Sequence, residues 1–512
     1  MPLKGGGVRS VVIAGGGPAG MMLAAELAIA RVDVVILERR PDHVLAGSRA
    51  GGFHARTIEV LDQRGVAGRF LAEGRRVQVA SFGSTGLHVS DFPTRHPYTL
   101  GIWQNRIEAI LAQWIAELGV PVEYGCEVTG FVQDSTGVDV QLAGGRSLRA
   151  QYLVGCDGGR SVVRRAAGIA FPGWEPTRSN LIAEVEVTEE PPPDPRFDEV
   201  GAHGLHRMED GRTVRVVTTE RRIGPSTEPT LGELSESLRA AFGTDFGVHN
   251  PTWISRFTDA TRQAATYRVG RVLLAGDAAH IHYPAGGQGL GLGVQDAVNL
   301  GWKLAQVLDG ICDTGLLDTY QAERHPITAR ILRHTIAQTA LQRRDERLQV
   351  LVDEVSELAA LDPARKHLAG LVSGLDIRYD LGAGHPLLGR RMPDLDLDTA
   401  DGTVRAFELL HDARGLLIDL GEPGALAVEP LPAHVRYLAA TYAGRWDLPV
   451  LGEVDAPTAV LVRPDGYVAW VGPGDDDGLT DALRRWFGAA GTGPAGTGPA
   501  GTGPAGTGPA RH

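Results

Sequence analysis

Cysteine is nearly missing from this chain of 512 residues, which has only Cys126, Cys156 and Cys312. An odd, scattered set cannot form a disulfide framework, and the spacing suits no zinc site. Such thiols fit a reducing cytoplasm, the expected location. Basic residues are in deficit too. Lys and Arg total 50 against 62 Asp and Glu, a net charge of −12. Nucleic acid is therefore not expected as the main partner, although a local basic site remains open. No run of about eighteen apolar residues occurs, so no helical membrane span is expected. The first apolar run ends at Ala14, too early for a secretion signal to be expected. Apolar residues at 43% still support ordinary globular cores, and the length allows two or three domains.

What the chain does have is glycine placed at turns. Ser10 to Ala14 reads as a short buried strand, and Gly15-Gly16-Gly17-Pro18-Ala19-Gly20 follows it. In such a fingerprint Gly15 permits a sharp turn. Gly17 lets a pyrophosphate approach the backbone, and Gly20 lets the next helix pack close to the strand. That helix, about Ala19 to Ala30, aims its N-terminal amides at the phosphates. Asp33 to Leu37 reads as the second strand, ended by Glu38. A carboxylate about twenty residues beyond the glycines suits a ribose with a free 2′-hydroxyl. FAD and NAD carry that hydroxyl; NADP does not.

Two further motifs lie far downstream. Gln151 to Gly155 is another buried strand, running into Cys156-Asp157-Gly158-Gly159-Arg160-Ser161-Val162-Val163-Arg164. Arg271 to Ala275 returns to a buried strand. It leads into Gly276-Asp277-Ala278-Ala279-His280 and then Pro284-Ala285-Gly286-Gly287-Gln288-Gly289. Between them, Asn180 to Trp253 alternates apolar and polar residues and reads as antiparallel sheet, with one helix near Leu231 to Phe242. Helices are expected at Ala55 to Gly65, Arg106 to Gly119 and, in a long series, from about Val294 to Val372. Val128 to Ala150 reads as a small meander. Tyr379 to Pro393 has the proline and glycine content of a linker. Beyond it come a strand at Gly415 to Leu420, a hairpin at Thr458 to Val471 turning at Arg463-Pro464-Asp465-Gly466, and a closing helix at Leu479 to Phe487. Four copies of Gly-Thr-Gly-Pro-Ala, from Gly491 to Ala510, cannot bury a core and are expected to be disordered.

With these motifs placed, the chain resembles the group A FAD-dependent aromatic hydroxylases, the para-hydroxybenzoate hydroxylase-like superfamily. Within it, the aromatic polyketide branch acting on anthracycline and angucycline intermediates is the most similar. The resemblance spans about residues 8 to 488. It is supported by Arg56-Thr57-Ile58-Glu59-Val60-Leu61, by Gln295-Asp296-Ala297-Val298-Asn299-Leu300 and by Tyr320-Gln321-Ala322-Glu323-Arg324. It implies an α/β architecture: a Rossmann-type FAD-binding domain (residues 1–174 and 269–393), an inserted antiparallel-sheet substrate domain (175–268), a C-terminal thioredoxin-like domain (394–488) and the tail (489–512). No Cys-x-x-Cys occurs in the C-terminal domain, so thiol redox work is excluded there. The resemblance leaves room for a homodimer contact through it.

The resemblance also implies roles. Gly15, Gly17, Pro18, Ala19 and Gly20 hold the pyrophosphate side of FAD. Glu38 binds the adenosine ribose, Arg39 lies near the adenine and Arg49 contacts the pyrophosphate. Gln104 sits near the ribityl chain, whose hydroxyls Asp277 binds. Pro284, Gly286, Gly287, Gln288, Gly289, Leu290 and Gly291 run beside the flavin ring. Asp157 belongs to a segment linked to both FAD and NAD(P)H, and with Arg164 it organises that loop. Electrons come from a transient NADPH, preferred here to NADH. Dioxygen adds at flavin C4a, and the resulting hydroperoxide hydroxylates a polycyclic aromatic substrate. The flavin does the chemistry, so no nucleophilic side chain is required.

His54, His282, Tyr283 and Pro284 are the candidate substrate contacts. A packed or hydrogen-bonding role for His280 and His282 outweighs a metal-binding reading of His-x-His, because no third ligand is evident. Relatives commonly carry asparagine where this chain has Gly291. Two readings of that glycine stand, backbone freedom for a moving flavin or a tight turn. Baeyer–Villiger oxygenation, oxidative inactivation of an antibiotic, and flavin binding without turnover remain open as alternatives.

Overall fold

Five parallel strands form the spine of the protein. Their order is Val122–Tyr124, Val34–Glu38, Arg9–Ala14, Ser147–Gly155, Val272–Leu274. The computed structural model describes residues 8–489 apart from 226, 343–345, 423–425, 427–429 and 473–475. The glycine-rich repeat at the C-terminus lies outside the described residues. The spine strands are short aliphatic runs because both faces of the sheet are buried, against helices and the Val128–Leu142 hairpin. Val11 to Ala14, Val35, Ile36, Leu153, Val154 and Val272 to Leu274 are all fully buried. An antiparallel hairpin, Val128–Gln133 with Val138–Leu142, extends from the Ser147–Gly155 strand, giving the expected meander. The fingerprint helix, Pro18–Ile29, packs on the long helix Gly289–Leu308. Gly301 permits that approach, since a Cβ there would lie 2.5 Å from the Glu26 Cβ.

The strand order reverses between Arg9–Ala14 and Ser147–Gly155. In open parallel sheets, ligands bind outside the carboxyl ends of strands at such a switch point. The three motifs of the sequence are the segments that leave three adjacent strands there. The register aligns the ends, Ala14 beside Gly155 and Gly155 beside Leu274. Sequence separation of well over a hundred residues is thereby closed to strand spacing.

A second sheet is inserted between the spine strands. Its order is Arg196–Phe197, Ala202–Arg207, Val214–Thr219, Ser179–Glu186, His249–Thr258, antiparallel throughout. The helix Leu231–Phe242 opens on a capping box made by Thr230 and Glu233 and covers one face. Leu181, Ala183, Val185, Val214 and Val216 point at its Leu234 and Leu238. Alternation therefore sends Asn180, Ile182, Arg215, Val217, Ser255 and Phe257 to the other face.

The helical series is real but segmented. It begins at Gly289, five residues earlier than expected, and continues as Asp318–Leu341, Glu346–Ala360 and Asp362–Ser373. The fingerprint helix likewise begins at Pro18, whose missing N–H costs nothing at a first helical position. A larger correction concerns Tyr379 to Pro393. It is not a loose tether: Tyr379, Leu387, Arg391 and Met392 are all buried. Tyr379 stacks on Tyr467 at 4.1 Å. Beyond it, Val435–Ala439, Gly415–Asp419, Ala459–Val462 and Val468–Gly472 form a four-stranded sheet in that order, with its first pair parallel and the others antiparallel. Leu479–Phe487 closes it through Leu483, Trp486 and Phe487.

Candidate active site

The first turn fits a pyrophosphate. Gly15 has φ +107°, and a Cβ there would lie 2.3 Å from the Cys156 carbonyl oxygen, so the first two motifs touch at backbone distance. A Cβ on Gly20 would lie 2.1 Å from the Gly15 carbonyl oxygen, whereas one on Gly17 would meet nothing within 4 Å. Open space sits where a phosphate must approach. Among the described residues no side chain caps the Pro18–Ile29 helix, so its first-turn amides remain available to an anion. The third motif meets the first: Cβ atoms on Gly276 and Gly293 would lie 3.0 and 3.2 Å from the Ala19 Cβ.

Glu38 ends its strand as expected. Its carboxylate accepts from the Gly16 amide at 2.6 Å and the Arg40 amide at 2.8 Å. Arg39, assigned to the adenine, is exposed at the strand end. Its neighbour Arg40 makes the connections instead. It donates to the Gly16 carbonyl at 3.0 Å and to Glu108 at 2.8 Å. Nothing in the sequence marked Arg40. Gln104 continues the chain, donating to Glu108 at 2.9 Å and accepting from the Arg49 and Ala50 amides at 3.3 and 3.2 Å. It thus fixes the loop that carries Arg49. Arg49 donates to Ser255 Oγ at 2.5 Å, reaching from the FAD-binding part to the inserted sheet. Arg49 is an exposed residue, but local desolvation of its guanidinium lowers its pKa from the usual arginine value, against the pull of nearby Asp277. Asp277 is exposed while the residues on either side of it are buried, so it faces the cleft.

Asp157 accepts from the Val162 and Val163 amides at 2.6 and 3.1 Å and so begins the short helix Val162–Ala166. Its other oxygen is buried without a hydrogen-bond partner among the described residues. Arg164 donates to the Ala278 and Gly159 carbonyls at 2.7 and 2.8 Å, tying the second motif to the third.

The loop from Pro284 to Gly289 is held from behind. His54 places Nε2 at 2.5 Å from the Gly286 carbonyl and Nδ1 at 3.2 Å from Thr99 Oγ1. Both ring nitrogens are bonded within the protein, so His54 holds the loop in place. Burial holds its pKa below the usual histidine value. Gln288 is also turned away from the cleft: its Nε2 donates to the Leu371 and Val372 carbonyls at 3.0 and 3.2 Å. Gly286 and Gly287 have φ +76° and +65°, the left-handed region that favours glycine. Pro284 is exposed, Gly289 is the first residue of its helix, and Leu290 packs against the main core.

Gly291 does not sit at a tight turn. It is buried inside the helix, and a Cβ there would lie 2.5 Å from Thr57 Oγ1. The glycine serves close packing of two helices, not a turn. His280 is buried and bonded through Nε2 to Asp296 at 2.7 Å, a structural role. His282 directs Nδ1 to the Tyr283 carbonyl at 2.7 Å, and its Nε2 is buried without a hydrogen-bond partner among the described residues. Tyr283 lies 5.7 Å from Phe257, ring to ring, so the loop that leads into Pro284 to Gly289 meets the free face of the inserted sheet. Trp103 beneath Arg215 at 4.7 Å and Trp253 over Gly47 join the same two parts. The face carrying Asn180, Ile182, Val217, Ser255 and Phe257 therefore roofs the cleft.

Comparison with known proteins agrees with this geometry. A FAD binding domain family model matches residues 9–335, and an aromatic-ring hydroxylase C-terminal model matches residues 385–490. A 12-dehydrotetracycline 5-monooxygenase/anhydrotetracycline 6-monooxygenase of Streptomyces rimosus is 44% identical over 506 residues, covering 93% of this chain and 98% of the relative. A rifampicin monooxygenase of Streptomyces venezuelae is 44% identical over 500 residues, covering 94% and 99%. The crystal structure of CabE, an aromatic hydroxylase from angucycline biosynthesis, superposes with a TM-score of 0.87 at 41% identity, covering 94% of this chain and 100% of CabE. The chain belongs to the FAD-binding aromatic-ring hydroxylases and is an FAD-dependent monooxygenase.

Proposed function

We propose that the enzyme hydroxylates an aromatic polyketide with electrons from NADPH. The observation that carries this reading is the cleft itself. The flavin-side loop faces an extended sheet surface of mixed Ile, Val, Phe, Asn and Ser side chains, a shape suited to a flat polycyclic phenol. Similarity to monooxygenases named for tetracyclines and rifampicin supports the substrate class.

Bound FAD supplies hydride acceptance and the activation of dioxygen. The chain's residues bind, orient and exclude water. The uncapped amides after Gly17 take the pyrophosphate, Glu38 the adenosine ribose and Asp277 the ribityl hydroxyls. Arg49 offsets phosphate charge from the exposed end of the Gly47–Ala50 loop. Asp157, Arg164 and Gly158 shape the loop beside that site, the candidate stopping place for NADPH. His54 and Gln288 immobilise the Pro284–Gly289 loop, which would lie beside a bound flavin ring. Tyr283 and Pro284, with Asn180 and Phe257, orient the substrate. We read residues 175–268 as the substrate-covering unit and 394–488 as a thioredoxin-like unit without a thiol pair, a reading supported by its one parallel and two antiparallel pairings and its closing helix.

A second reading, oxidative inactivation of an antibiotic, is favoured by the rifampicin monooxygenase, which matches as well as the tetracycline enzyme. Product mass spectrometry with NADPH and a panel of anthracycline and angucycline intermediates, tetracyclines and rifamycins separates the two. One added oxygen on a biosynthetic phenol supports hydroxylation. Oxidation of finished antibiotics alone supports inactivation. NADPH consumption unaffected by every compound on the panel would contradict both.

A further inference from the structure

The Arg463–Gly466 turn belongs by sequence to the C-terminal unit, yet it is buried in the FAD-binding part, with Arg463 0% and Asp465 2% exposed. Segments far from it in the chain take up its polar groups. Arg64 donates to the Pro464 carbonyl at 2.7 Å while also pairing with Glu26 on the fingerprint helix at 2.7 and 3.0 Å. Arg56 donates to the Asp465 carbonyl at 3.1 Å. Arg463 donates through both terminal nitrogens to Glu323, at 2.6 and 2.8 Å. Asn299 donates to Glu323 at 2.7 Å and to Asp465 at 3.1 Å, and Lys303 adds a bond to Glu323 at 2.8 Å. Gly466 has φ +76°, and a Cβ there would lie 2.4 Å from the Gln63 amide.

The same two helices carry a second tier of contacts. Arg324, next to Glu323, donates to Asp296 Oδ1 at 2.8 Å. Asp296 lies one helical turn before Asn299. Its Oδ2 accepts from the Gly276 amide at 3.2 Å and from His280 Nε2 at 2.7 Å. Gly276 opens the turn that presents Asp277 to the cleft. Asp296 and Arg324 are both 0% exposed.

Buried ion pairs repay their desolvation only in good geometry, and well-packed apolar residues would often stabilise as much. Their best-attested use is to specify register. Here the register is that of Asp318–Leu341 on Gly289–Leu308. We propose that the Arg463–Asp465 turn is a positioning element for the flavin-binding turn. It locks Glu323 and Asn299, which places Arg324 and Asp296 under Gly276 and Asp277. Asn299 lies ten residues beyond Gly289, about 15 Å down the helix at 1.5 Å per residue. The turn therefore acts on the cofactor site without touching it. This inference rests on the FAD-binding reading and extends it to a unit otherwise without a role.

The test compares apoprotein of wild type, Arg463→Met, Arg463→Lys and Asp465→Asn with a C-terminal core variant, Leu416→Ala. FAD affinity, visible circular dichroism of the bound flavin and melting temperature are measured for each. The expected result is FAD affinity at least tenfold weaker and an altered flavin spectrum in Arg463→Met, with partial rescue in Arg463→Lys. Leu416→Ala should lower the melting temperature but hold FAD affinity within twofold. If Arg463→Met does not fold, Asp465→Asn carries the same expectation. Affinity and spectrum unchanged in the turn variants, or lost equally in Leu416→Ala at a matched melting temperature, would overturn the inference. Failure of the wild type to bind FAD would strike the FAD reading itself, a separate outcome.

Discussion

Two glycines of one fingerprint should fail in opposite ways. Gly17 has φ −79° and ψ −178°, which any residue adopts, and a Cβ on it meets nothing within 4 Å. Placing alanine there costs about 0.5–1 kcal/mol at a helix N-cap. It regains about 0.4–1 kcal/mol by restricting the unfolded chain. Apoprotein stability should therefore barely change. The new methyl occupies the phosphate approach, however, and overpacking costs about 1–3 kcal/mol. That corresponds to roughly 5- to 150-fold weaker FAD binding. Gly20→Ala differs, because its Cβ would lie 2.1 Å from the backbone oxygen of Gly15. A backbone atom cannot swing aside, so the fold itself must shift and the apoprotein should melt earlier. Thermal melts of both apoproteins, with flavin fluorescence titrations, make the comparison. Wild-type FAD affinity in Gly17→Ala, or an apoprotein melting temperature as low as that of Gly20→Ala, would refute the reasoning.

Further outcomes follow from the same geometry. Glu38→Ala removes a charge-assisted partner worth roughly 1.5–3 kcal/mol, so FAD binding should weaken about tenfold to a hundredfold; unchanged affinity would remove Glu38 from the site. Gly291→Asn should destabilise the protein, and Thr57→Ala should restore part of the loss by removing the oxygen 2.5 Å from the new Cβ; equal stability with and without Thr57→Ala would show that the glycine has another purpose. Burial depresses the pKa values of His54, His282, His325 and His434, and that of His334 to about 4. Below the ordinary histidine value the unfolded chain takes up protons that the folded chain refuses, so stability should fall as pH drops from about 7 toward 5. A melting temperature that is flat or rises over that interval would contradict these burials.

The FAD-binding part was legible because its signals are local. A strand, a glycine turn and a helix follow each other within twenty residues, and the parallel register brings three such turns together. The inserted sheet was legible as alternation. Which of its faces roofs the cleft was not, because that depends on Ser255 meeting Arg49 and Phe257 meeting Tyr283 across the fold. Side-chain direction escaped the motif as well. Gln288 sits in the flavin loop but serves the end of the helix Asp362–Ser373, and Arg40, not Arg39, binds back to Gly16. Gly291 read as a matter of backbone freedom, while its reason is Thr57 on another helix. The Arg463–Gly466 turn has the composition of a solvent loop and is buried all the same, because Arg463 pairs both with Asp465 in the turn and with Glu323, 140 positions away.

In the proposed reaction the cleft delivers one atom of dioxygen to an aromatic substrate. Turnover under labelled dioxygen with NADPH, on whichever panel compound is converted, tests it most directly. The expected result is one labelled oxygen in the product and the other in water. Product formed without label, with stoichiometric hydrogen peroxide or with no NADPH consumed, would contradict it.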